Sequence, residues 1–170
     1  PDDRSEETVA LFDVGEKKST ITFLHHGNFH SVRTLTSGTV DSVVSTLTRH
    51  LGIDAATCHE MFKKNDLTMV KDRSVAEVES ALQLAYEEIV SAVEFGVRYF
   101  STSEFGEKPD RLLVCGGGAN LPGVCEFFKE KLDIESEPIN PFASIPCEPE
   151  AAPEGGVSLS LSNLYTPALG

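Results

Sequence analysis

Between Thr8 and Leu35 apolar and polar side chains change places at nearly every step, and this period of two predicts β-strands. Thr8-Val-Ala-Leu-Phe-Asp-Val-Gly15 reads as a strand ending in Asp-x-Gly, Glu16-Lys-Lys-Ser19 as a polar turn, and Thr20 to His25 as a second strand. Gly27-Asn28 marks the next turn and Phe29 to Leu35 a third strand, so this part of the chain is expected to form a three-stranded antiparallel meander. The period then lengthens. From Thr39 to His50 the residues Val40, Val43, Val44, Leu47 and Leu51 share one helical stripe, Gly52 ends it, and the helix is expected to pack on the sheet. Asp54 reads as the N-cap of a shorter helix, Ala55 to Lys64, whose Glu60 and Lys63 share a face as an i,i+3 pair.

Ser74-Val-Ala-Glu77 is a capping box that opens a long helix, with Val75, Val78, Leu82, Ala85, Ile89, Val93, Val97 and Phe100 buried on one side over roughly 40 Å. Gly96 interrupts that stripe at a cost of about 1 kcal/mol against alanine, so another helix or a ligand ring is expected to approach the backbone there. Arg111 to Cys115 is then a short buried strand running into Gly116-Gly-Gly118, where positive φ and close backbone approach become accessible. Pro122 suits a first helical turn, and a helix from Gly123 to Asp133 would present free N–H groups and a positive dipole end over the glycines. Ile134 to Ile139 is expected as one more strand, ended by Asn140-Pro-Phe142. Ala143 to Gly156, rich in Pro, Glu and Ala, reads as an exposed loop, and Val157 to Leu169 as the start of a closing helix that is cut short.

With 170 residues and 40% hydrophobic content the chain can bury one good core or two small subdomains, and the strand-helix order implies an α/β fold with a mixed sheet. A net charge of −13 opposes nucleic acid and anionic lipid, so any phosphate must be held by local backbone groups. No run approaches the eighteen apolar residues of a membrane span, and no signal peptide is visible. Cys58, Cys115, Cys125 and Cys147 lack metal-ligand spacing and are expected as free thiols, while His25, His26 and His30 read as solvated residues around a hairpin tip. No nucleophile, base and orienting group stand out as a set.

Two places carry candidate chemistry. Asp13 at a strand end beside the hydroxyls of Ser19 and Thr20 can hold a hydrated magnesium ion and donate to phosphate oxygens, although an Asp that caps its own hairpin has the same sequence. The glycine triplet likewise serves either a nucleotide or a plain βα turn.

The order of these features resembles the second domain of the actin-like ATPase superfamily, with its ribonuclease H-like sheet and small helical subdomain. Within it the chain is most similar to the PilM family of type IV pilus assembly proteins, and next to the FtsA family, on the string Gly117-Gly-Ala-Asn-Leu-Pro-Gly123, then Ile139-Asn-Pro-Phe142 and the ending Ala168-Leu-Gly170. The resemblance implies a sheet subdomain over residues 1–53 and 104–170 and a helical cap over 54–103. It implies ATP and magnesium, with Asp13, Gly15, Ser19, Thr20 and Gly38 on the phosphate side, Glu60 and Lys63 at ribose and base, and Gly116, Gly117, Gly118 and Asn120 at the adenosine. It further implies a cytoplasmic scaffold or switch at the inner membrane, itself not inserted, with a PilN-like membrane protein bound through an N-terminal half and other pilus proteins as partners. No catalytic residue is implied in this part, and any ATPase activity would be weak. A sugar or acetate kinase of the same superfamily and an interaction domain without nucleotide remain open. Glu16 stands where the family prefers a small residue, and its carboxylate repels phosphate unless a cation or the adjoining Lys17 and Lys18 offset it.

Overall fold

The computed structural model describes residues 6–102 and 107–139. Strands β1 (Thr8–Val14), β2 (Ser19–His25) and β3 (Asn28–Leu35) form the expected antiparallel meander, pairing Asp13 with Thr20 and Thr20 with Thr34. Helices α1 (Val40–Leu51), α2 (Ala55–Lys64) and α3 (Val75–Phe100) follow, with a 3-10 turn at Leu67–Met69. Strand β4 (Arg111–Cys115) then inserts beside β1 in parallel, a 3-10 turn spans Gly117–Asn120, and α4 (Val124–Leu132) leads to β5 (Glu135–Pro138), parallel to β4. The sheet order is β3-β2-β1-β4-β5. Its centre is therefore a parallel pair, β1 and β4, whose carboxyl ends lie side by side with Asp13 opposite Cys115.

Alternation decides which face is packed. Ala10, Phe12 and Val14 of β1, Ile21 and Phe23 of β2, and Leu112 and Val114 of β4 are fully buried, whereas Asp13 and Thr20 lie on the opposite pleat. Phe12 meets Phe128 of α4 edge-on at 5.9 Å, and Phe23 stacks on Phe100 of α3 at 4.5 Å, so α3 and α4 close the same side of the sheet. The helix ends follow their sequence signals. Thr39 and Ser74 both make capping boxes, Asp54 accepts from the Thr57 amide, and Gly52 takes the left-handed conformation that ends α1.

The partners of α1 include α3 and α2, which the sequence reading did not name. Three expectations change. What approaches Gly96 is β2, since a Cβ there would lie 3.0 Å from Ile21 Cγ2 and 4.0 Å from Phe23 Cζ; neither a helix nor a ligand ring is involved. Pro122 is not in the first turn of α4, whose N-cap is Gly123 at φ 70°; it precedes the helix, and its carbonyl accepts from the Tyr86 hydroxyl at 2.8 Å. His25 is tied rather than merely solvated, its Nδ1 lying 2.8 Å from the Thr8 hydroxyl. The expectations for Asn140 to Phe142, the 143–156 loop, the closing helix and Cys147 lie outside the described residues.

Candidate functional site

Asp13 sits near the end of β1 on the pleat away from the packed face, half-buried, and burial raises its carboxyl above the usual carboxylate range. The turn that follows is held by backbone. The first two amides of α1 donate into it, Val40 N to Gly15 O and Asp41 N to Glu16 O, both at 3.0 Å, so the helix N-terminus supports the turn from behind. A Cβ on Gly15 would collide with the Lys18 carbonyl, which explains that glycine without a ligand.

The second turn presses on the first. Gly116 has φ 76° and ψ −175°, a region essentially reserved for glycine, and a Cβ there would collide with Asp13 Oδ1 and lie 2.8 Å from the Val14 carbonyl oxygen. A Cβ on Gly118 would collide with the Val14 side chain. Both glycines are buried, and what they accommodate is the end of β1. Gly117 between them is exposed, and of the three only Gly116 has a positive φ. The N-terminus of α4 is set back from the triplet by the 3-10 turn and Leu121 to Gly123.

Helix α2 faces both turns. His59 Nε2 lies 3.8 Å from Glu16 Oε1 in the first, and one helical turn further Lys63 lines a hollow of about 460 Å³ with Phe62 and Asn65 on one side and Ala119, Asn120 and Leu121 on the other. That volume is in the range of small-molecule sites. Asp13, Gly116 and Thr20 are thus one cluster at the strand ends, and Lys63 and Asn120 one hollow beside it.

Three residues fall elsewhere. Ser19 is fully buried and its hydroxyl donates to the Gly38 carbonyl at 2.7 Å. Gly38 is itself buried, at φ 68°, where a Cβ would lie 2.9 Å from Ala92 Cβ and 3.1 Å from Ile89 Cα of α3. Both tie the meander to the long helix. Glu60 pairs with Lys64 at 3.3 Å, the i,i+4 geometry winning over i,i+3, and does not line the hollow. Conversely His59, Asn65 and Phe62 join the site without having been singled out from sequence.

Burial, and next to it the charge of Asp13, pushes the Cys115 thiol up to about 12, while Cys58 and Cys125 are pushed to about 11 and about 12. All three are protonated at neutral pH, so they offer no thiolate nucleophile. No group of three or more His, Cys, Asp or Glu side chains placed to hold a metal ion occurs among the described residues.

The family profile described as "Type IV pilus assembly protein PilM" matches residues 1–159. The chain belongs to the PilM family. Among solved structures it is similar to a PilM-PilN type IV pilus biogenesis complex, at TM-score 0.77 and 17% identity over 98% of this chain and 45% of that one. It is also similar to the ethanolamine utilization protein EutJ from Carboxydothermus hydrogenoformans, at TM-score 0.60 and 15% identity over 94% of this chain and 46% of that one. MreB5 of Spiroplasma citri bound to AMPPNP matches at TM-score 0.59 and 10% identity over 99% and 55%. The chain spans about half the length of these structures. No protein of curated function matches by sequence. The PilM-family chain thus has the actin-like ATPase fold, a mixed α/β sheet with packed helices. No helix among its described residues is long and apolar enough to cross a membrane.

Proposed function

We propose that this PilM-family chain is an ATP-binding lobe of a scaffold that switches with nucleotide and serves type IV pilus assembly. The observation carrying the reading is the juxtaposition of the two glycine turns at the carboxyl ends of the parallel strands β1 and β4, where open α/β sheets take ligands. The cradle fits a nucleotide. The adenosine would lie in the hollow between Lys63 and Asn120 with the exposed Gly117 beside it, and the phosphates would lie toward Gly15, Thr20 and Asp13. A magnesium ion at Asp13 would offset the desolvation of that carboxylate, and the ammonium of Lys63 adds a cation on the nucleotide side. In this reading α2 is the cap element, belonging with residues 54–103, and the sheet subdomain comprises 1–53 and 104–170.

Bound ATP supplies charge and area that close lobes on one another, and turnover is not required for that role. The machine is at the cytoplasmic face of the inner membrane, with a PilN-like protein as partner of the full protein. The likeness to a PilM-PilN complex supports that partner. A second reading, an interaction domain that has lost nucleotide, is favoured by Glu16, whose half-exposed carboxylate faces the phosphate side. Equilibrium binding of a fluorescent ATP analogue to the full-length protein, with and without magnesium, separates the two. Magnesium-dependent saturable binding competed by ATP supports the switch, and no binding at millimolar analogue leaves the interaction domain.

A further inference from the structure

We propose that the outer edge of β3 is a docking surface for an extended, acidic segment of a partner protein, which adds to the sheet as a strand. Strand β3 is the first in the sheet order, and among the described residues nothing pairs with its outer side. It runs eight residues, against about 5–6 for an ordinary strand. Edges of this kind are normally protected by lysine, proline or shortness. Asn-Phe-His-Ser-Val-Arg-Thr-Leu contains neither lysine nor proline, and two of its large apolar side chains are presented to solvent, Phe29 at 65% and Val32 at 53% exposure. On α3, Phe95 and Tyr99 are also exposed, at 63% and 48%.

Charge names the occupant. The chain has 27 acidic residues, yet the stretch 17–40, which contains all of β2 and β3, has no Asp or Glu and carries Lys17, Lys18, Arg33, His25, His26 and His30. The Arg33 guanidinium is fixed 3.3 Å over the Tyr99 ring, so a cation is already ordered at the edge and little side-chain entropy is lost when a carboxylate meets it. A second copy of this chain is a poor occupant, because two-fold pairing would set the same carboxylate-free edge against itself between molecules of net charge −13. An acidic strand with apolar alternate residues satisfies the open ladder, the apolar side chains and Arg33 together. The edge lies away from the hollow beside Lys63, so the surface does not depend on nucleotide.

The test uses the intact chain and a short fluorescein-labelled peptide of alternating glutamate and valine, with an alternating lysine and valine peptide as control. Anisotropy should show that the acidic peptide binds and the basic one does not, with affinity falling as salt rises. Arg33→Glu should weaken the acidic peptide about tenfold and admit the basic one. Phe29→Ser should weaken binding while leaving the circular dichroism and the melting temperature unchanged, and hydrogen exchange should slow at residues 28–35 on binding. Failure of the acidic peptide to bind, equal binding of both peptides, or an undiminished Arg33→Glu overturns the proposal. So does sedimentation as a dimer that Phe29→Ser converts to monomer, which would give the edge to a second copy.

Discussion

The two glycine turns lie side by side but are built on opposite plans. The turn after β1 carries its chemistry in side chains, namely Asp13, Glu16 and Thr20, and its backbone is fastened from behind by α1. The turn after β4 carries almost no charge. Its buried glycines exist because the end of β1 leaves no room for a Cβ, and only Gly117 faces outward. The difference teaches that glycine in a nucleotide-type turn can be demanded by the protein's own packing. A change in the second turn should therefore act on folding wherever the glycine is buried, and a change in the first on affinity.

The largest effect is expected at Gly116→Ala, where a forbidden backbone conformation adds to a collision with Asp13, and urea unfolding should show a loss of about 3 kcal/mol or more. Gly118→Ala, which collides with the Val14 side chain and comes within 3.2 Å of the Val14 carbonyl oxygen but has no positive φ, should lose about 1–3 kcal/mol. If both proved neutral, the two turns would not be in contact and the comparison would collapse. Asp13→Asn sharpens it from the other side. Because burial raises the Asp13 carboxyl, the ionised form is disfavoured in the folded state, so stability is lost as pH rises through the unfolded and then the folded pKa. The asparagine variant should therefore melt higher than wild type at pH 7, equal it well below pH 4, and lose magnesium-dependent nucleotide binding. A lower melting temperature at pH 7 would mean that the carboxylate is stabilised by something the desolvation argument omits. The smallest effect is expected at Glu16→Gln. Removing one half-exposed negative charge should tighten ATP severalfold, worth about 0.5–1 kcal/mol at low salt and less at high salt. Weaker binding would instead assign the Glu16–His59 contact a supporting role.

Much of this was legible in the chain. The period-two alternation from Thr8 to Leu35 gave three strands, and the Ser74-to-Glu77 box and the apolar stripe to Phe100 gave the long helix nearly to the residue. Local rules sufficed there because burial and capping are set by neighbours in sequence. They did not say that α1 lies against α3, that β2 fills the space at Gly96, or that Ser19 would give its hydroxyl to Gly38, since each depends on which surfaces meet across the fold. Of the candidate residues read from sequence, the structure brings together Asp13 with Gly116 and Lys63 with Asn120. His59 was missed because a lone histidine on an exposed helix face has no signal until Glu16 is placed opposite it.

Calorimetric titration of the full-length protein with ATP and magnesium, wild type against Gly117→Asp, tests the central claim most directly. Gly117 is exposed between two buried glycines and has no positive φ, so an aspartate there sets a carboxylate beside the place assigned to the adenosine. The account predicts a saturable heat for wild type, none for the variant, and the same melting temperature for both without nucleotide. Equal heats in the two proteins would contradict it.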